Sequence, residues 1–256
     1  MRKMIKRYRI IFAALALMLI APGCVWLRML ELKSQLSHFD ENFRISSSDS
    51  FTLQFLHPVL YNEDYLTLAR VKPTSEEKLI DGARWIQLFH KLDAHGQVTK
   101  GRDIVFTLDF DQHEKLYRWE FSPAFMIMMP AKFFEASLRS LGKGKVDQDK
   151  KQMKVDPEDL PKLNEKPPKR AQIIAVLGEP TEQSHADGLK LDIYRFQADS
   201  SYIEPEYEDR RKASAKLFFD PKTDELKKVT SRFLGLKFSI DFRNLIQLEA
   251  LGKNKG

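Results

Sequence analysis

The chain has 256 residues, 43% of them hydrophobic, and its 18 Phe, 7 Tyr and 3 Trp supply enough apolar bulk for one large or two small cores, which excludes a disordered chain. A single Cys excludes a disulfide scaffold, and the formal charge of +6 sits almost wholly in Arg2, Lys3, Lys6, Arg7 and Arg9. From residue 24 onward 37 basic residues face 36 acidic ones, so the body has no global pull on a polyanion and nucleic acid is not expected as a partner.

Residues 1–23 have the layout of an export signal: a basic start, twelve uncharged apolar residues from Ile10 to Ala21, then Pro22, Gly23 and Cys24. The order Ile20-Ala21-Pro22-Gly23-Cys24 resembles a bacterial lipobox. That resemblance implies cleavage before Cys24, three acyl chains on Cys24, and a body held at the membrane on its periplasmic side. Val25 at the next position implies sorting to the outer membrane. The alternative is an uncleaved signal anchor, because the uncharged stretch continues through Val25, Trp26 and Leu27 to a length that can just span. Both place the body on the same side. Residues 24–45 read as a membrane-proximal tether.

A first unit is expected over 46–142. A strand at Phe51 to Leu56 precedes a helix that starts near Asn62, carries Tyr65, Leu66 and Ala69, and stops at Pro73. Alternation of Val105, Thr107 and Asp109 with Phe106, Leu108 and Phe110 predicts a strand, paired with 115–121 across the turn 111–114. The most apolar segment after the signal, Phe125 to Phe134, reads as buried core or as an exposed groove. A helix follows from Pro130 to Leu141, with Gly142 past its end. Residues 143–167, rich in charge and Pro, read as a solvated linker. The second unit, 168–242, has a helix through Ile173, Ile174 and Leu177, ended by Gly178 and Pro180, then an aromatic strand at 191–197 and a hairpin of 214–219 with 226–233. Residues 243–256 form a polar tail.

The two units correspond in order. LTLARVKPT, ending at Thr74, lies 107 residues before IIAVLGEPT, ending at Thr181; Asp81-Gly82 answers Asp187-Gly188; and the Phe-Asp turn at 110–111 answers that at 219–220. The fold class expected is therefore α+β, with two tandem helix-on-antiparallel-sheet units.

The run RAQIIAVLGEPTEQ, the strand Ile193-Tyr194-Arg195-Phe196 and the hairpin KLFFDPKTDELKKV resemble the SmpA/BamE-like family of small outer-membrane assembly lipoproteins, over about residues 168–233. Arg70-Val71-Lys72-Pro73 stands in the first unit where that family has Leu-Gly-x-Pro. A tandem of such units is similar to the β-lactamase-inhibitor protein architecture. The resemblance implies periplasmic protein binding, in outer-membrane protein assembly or envelope integrity, and no cofactor.

The sequence shows no HExxH, nucleophile-elbow or phosphate-loop pattern, so neither a catalytic residue, nor a metal ligand, nor a cofactor site is assigned. The chain is read as a non-enzymatic binder of an envelope protein of unknown identity, attached to the membrane through Cys24. A lipid or lipoprotein carrier using the Met and Phe run is the second reading, and an envelope enzyme with a site invisible in sequence the third. The expected contact residues are Tyr202, Tyr207, Arg210 and Arg211, in the long insertion from Ala198 to Lys212, because Tyr and Arg dominate binding hot spots.

Overall fold

The computed structural model describes residues 25–48, 50–147 and 152–246; the signal, Cys24 and most of the expected tail lie outside these. Helix α1 covers 25–37 and is followed by α2 (Phe39–Asn42). Strands β1 (Phe43–Ser47) and β2 (Phe51–Phe55) lead to α3 (Asn62–Ala69), β3 (Ser75–Leu79), β4 (Gly82–Leu92), β5 (Ile104–Asp111) and β6 (Leu116–Phe121). Two helices come next, α4 (Pro123–Met126) and α5 (Ala131–Leu141), then a small hairpin of β7 (Lys145–Asp147) and β8 (Gln152–Lys154). The remainder is α6 (Arg170–Leu177), β9 (Glu182–Ala186), β10 (Leu189–Asp199), β11 (Lys212–Phe219), β12 (Leu226–Phe233) and β13 (Leu236–Asp241).

The expectation of two helix-on-sheet units is overturned. The large strands form one continuous antiparallel sheet, curled like half a barrel, in the order β1-β2-β6-β5-β4-β10-β11-β12-β13, with β3 beside β4 and β9 beside β10. Strand length is the physical reason. Strands β4 and β10 have eleven residues each, whereas β3 and β9 have five and cover only half of the edge beside them. The uncovered halves, 88–92 of β4 and 195–199 of β10, hydrogen-bond to each other, because bare strand edges leave backbone groups unpaired. The core is shared accordingly: the Phe233 ring, from β12, lies 5.0 Å from Phe89, 5.7 Å from Phe106 and 5.8 Å from Phe196.

Within this single sheet one order of elements recurs. The order helix, short strand, long strand, two hairpin strands occurs twice, and the β5–β6 ladder shifts register between Asp109 and Phe110 as the β11–β12 ladder does between Phe218 and Phe219. Each helix is clamped to its hairpin in the same way: Asn62 N–H donates to Glu114 O at 3.0 Å and Arg170 N–H to Asp224 O at 2.9 Å, both acceptors being residues at positive φ.

Alternation places Trp85, Phe89, Phe106, Leu108 and Phe196 on the inner face of the sheet, where the helices cover them. Helix α5 closes the open side. Its Phe134 ring packs 4.9 Å from Phe51, near one end of the sheet, and Phe133 packs 4.8 Å from Phe242, just past the other. The Met and Phe run is therefore core: Phe125, Met128, Met129 and Phe133 are buried, and Met126, Ile127 and Phe134 pack against them. The segments read as tether and linker also touch the body. Leu32 and Leu36 of α1 join the core, Arg28 makes two bonds to buried Asp64 at 2.7 and 2.5 Å, and Leu163 N–H donates to Leu245 O at 2.7 Å. Among the described residues no helix is long and apolar enough to cross a membrane.

Candidate functional site

The Pro-Thr pair that ends each repeat's helix segment lies where a long strand changes partner. Thr74 stands at the end of β3, where β4 leaves β3 and takes up β10; its hydroxyl accepts from Leu88 N at 2.9 Å and donates to Asp199 O at 2.6 Å. Thr181 does the same on the other side, accepting from Arg195 N at 3.1 Å and donating to Leu92 O at 2.8 Å. Each hydroxyl thus replaces the ladder bond that the partner change interrupts, and each joins one repeat to the other. Beside Thr74, buried Gln87 donates to the same Asp199 carbonyl at 2.9 Å and accepts from Tyr65 Oη at 2.9 Å. Burial pushes the Tyr65 hydroxyl above its ordinary pKa and keeps it a donor.

The loops beyond the seam cross over reciprocally. From the loop between β4 and β5, Arg102 donates to Ala175 O at 2.8 Å and Val176 O at 2.5 Å, capping the end of α6 where carbonyls lack partners. Lys91, buried beside it, faces the Tyr194 ring at 5.8 Å, and burial lowers its pKa. The loop between β10 and β11 lies in turn on the end of α3. Val71 bridges Ile203, Lys72 N–H donates to Tyr202 O at 3.0 Å, and the Ser200 hydroxyl donates to Lys72 O at 2.8 Å.

Here a shallow cleft of about 120 Å³ remains open, lined by Leu66, Arg70, Val71, Lys72, Tyr202 and Glu204. Leu66 and Val71 supply apolar wall. Arg70, held at φ 59° where the helix ends, reaches Glu204 at 3.3 Å and lies over the Tyr207 ring at 5.3 Å. Tyr202 is 51% exposed, with the Lys72 ammonium 5.9 Å above its ring. The volume suits one side chain rather than a cofactor, which needs several hundred Å³.

The four residues expected to contact a partner are divided by this arrangement. Tyr202 lies on the rim of the cleft and faces solvent. Tyr207 packs against the core between Arg70 and Arg210, whose guanidinium lies 5.6 Å over the ring and donates to Leu234 O at 2.8 Å. Arg211 pairs with Glu208 at 3.1 Å in the 3-10 turn Pro205–Arg211. The insertion thus docks on the other repeat, and of its two tyrosines Tyr202 faces outward. Sequence reading missed Thr74, Thr181, Arg102 and Gln87; the recurring Pro-Thr was visible, but the strand edges its hydroxyls complete were not. Among the described residues no cluster of His, Cys, Asp and Glu could hold a metal ion.

Compared with protein-family models, with curated proteins and with solved structures, the chain matches none.

Proposed function

We propose that this protein is a non-enzymatic lipoprotein of the bacterial cell envelope, anchored through Cys24 on the periplasmic side, whose work is to bind another envelope protein. The observation that carries the reading is the cleft at the seam between the repeats. It combines an exposed Tyr, two cations and an apolar wall on a backbone fixed by bonds from both halves of the sheet. Preorganised Tyr and Arg beside a pocket of side-chain size are what a protein-binding hot spot requires. The export layout of residues 1–24 supports the location, and the resemblance of 168–233 to SmpA/BamE-like lipoproteins supports a role in outer-membrane protein assembly or envelope integrity.

The carrier reading draws less support, because the Met and Phe run that motivated it packs inside the sheet. A photo-cross-linking residue at position 202, in intact cells, tests the proposal, with position 207 as the internally packed comparison. Adducts with one envelope protein from 202 and none from 207 are the expected result. Adducts from neither, with a partner captured instead from the outer face of the sheet, would move the site elsewhere.

A further inference from the structure

We infer that the first two turns of α1 lie in the membrane interface, so that the folded body rests on the bilayer with no flexible spacer between it and its anchor. The inference rests on the membrane attachment proposed above, by acylated Cys24 or by an uncleaved anchor, since either brings the bilayer to residue 25.

The residues of α1 carry it. At about 100° per residue, Trp26, Leu27 and Leu30 fall within one arc of the helix. Leu27 is 65% exposed and Leu30 38%, and Trp26 is partly exposed. Two exposed leucines beside a Trp, on a helix whose other side is packed, leave apolar surface in water that removal from water would stabilise. The same arc continues as Lys33, Ser34 and Ser37, so the surface turns polar with distance from Cys24. Leu30, the last apolar residue of the arc, lies about 7–8 Å along the helix from residue 25 and Lys33, the first polar one, about 12 Å, at about 1.5 Å per residue, so the apolar part is confined to the end next to Cys24. Trp is the side chain most suited to that level, with an apolar body and an N–H that reaches the headgroups.

The opposite side of α1 is held by the protein. Leu32 and Leu36 lie against the core and Arg28 is bonded to Asp64, and at the far end of the helix, beyond the apolar arc, the Ser37 hydroxyl donates to Gly142 O at 3.0 Å. A helix gripped along its length cannot act as a loose leash. If its first turns are embedded, the orientation of the whole sheet relative to the membrane is fixed, and acyl chains and apolar side chains act together as the two signals that stable anchoring needs.

The test uses the full chain, purified from membranes and reconstituted into phosphatidylcholine vesicles with or without bromine on the upper acyl segment. Flotation with the vesicles reads the anchor, and quenching of Trp fluorescence by the bromine reads the position of α1. Trp85 is buried in the protein core, and Trp119 packs at 4.9 Å against Phe121 there, so neither should be quenched. The expected result is a quenched fraction that disappears in Trp26→Phe and falls at least twofold in Leu27→Asp/Leu30→Asp, while both variants still float. Protein that floats with no quenching attributable to Trp26 would overturn the inference and leave the anchor standing. Protein that does not float would overturn the anchor, and the inference with it.

Discussion

Replacing Thr181 by Val keeps the shape of the side chain and removes only its hydroxyl. Two bonds disappear, and the Arg195 amide and Leu92 carbonyl lose their partner at a position only 9% exposed. Each buried backbone group left unsatisfied costs about 1–3 kcal/mol, so the pair should cost about 2–4 kcal/mol, since the carbonyl keeps a second lone pair for other contacts. Thr74→Val removes the equivalent bonds to Leu88 and Asp199, but Gln87 still donates to the Asp199 carbonyl, so the cost is at the lower end, about 2 kcal/mol. The two junctions lie four residues apart on β4, about 13 Å, far enough for the effects to add. The double variant should therefore lose about 4–6 kcal/mol, comparable with the whole stability of many domains. Urea unfolding of the single variants would read this as a lowered midpoint at unchanged slope, and thermal unfolding as a fall of about 4–16 °C. Thr→Ser at either site should restore most of the loss. Single Val variants within about 0.5 kcal/mol of the parent would show that the hydroxyls do not join the repeats and would refute the account of the seam.

Other consequences can be measured directly. Asp64→Asn should cost about 3 kcal/mol by removing a buried carboxylate from Arg28, and should expose α1 to protease before the sheet is cut. Gly142→Ala should destabilise by about 1–3 kcal/mol, because its Cβ would fall 2.5 Å from Ser37 N and 2.6 Å from Leu36 O, forcing α1 away from α5; an unchanged urea midpoint would contradict that packing. Backbone N–H groups of Lys222 and Thr223 hold the Asp220 carboxyl below its ordinary pKa. The turn stability this gives is present above the unfolded value of about 3.9 and lost as pH falls through the depressed folded value, so an NMR midpoint at or above about 3.9 would be inconsistent with it. Tyr202→Ala should leave the unfolding midpoint within about 0.5 kcal/mol, as for an exposed side chain, and abolish partner capture at the cleft; a large loss of stability would assign Tyr202 to the fold instead.

Much of the local structure follows from the residues alone. The strand patterns at 104–110 and 214–219, the Asp turns at 111 and 220, and the Pro stops after α3 and α6 each act over a few positions, and those elements form there, the strands running one residue further at 111 and starting two earlier at 212. The recurring order of elements was legible too, because corresponding residues recur at nearly constant spacing. Legible in the same way was the apolar character of Met126 to Phe134, though not its place under the sheet. Three things were decided only by the tertiary structure. Strands β3 and β9, with little apolar alternation, are held by their ladders to β4 and β10 rather than by a buried face of their own. The joining of the repeats into one sheet depends on the difference in length between those short strands and the long ones they flank, which becomes a free edge only when the strands are side by side. Tyr202, Tyr207, Arg210 and Arg211 look alike in the sequence, and only the crossing of their loop onto the other repeat packs Tyr207 against the core, ties Arg210 to Leu234 and leaves Tyr202 facing outward. Residue type and spacing set which bonds a segment can offer; which of them are spent inside the molecule depends on what long-range pairing brings alongside.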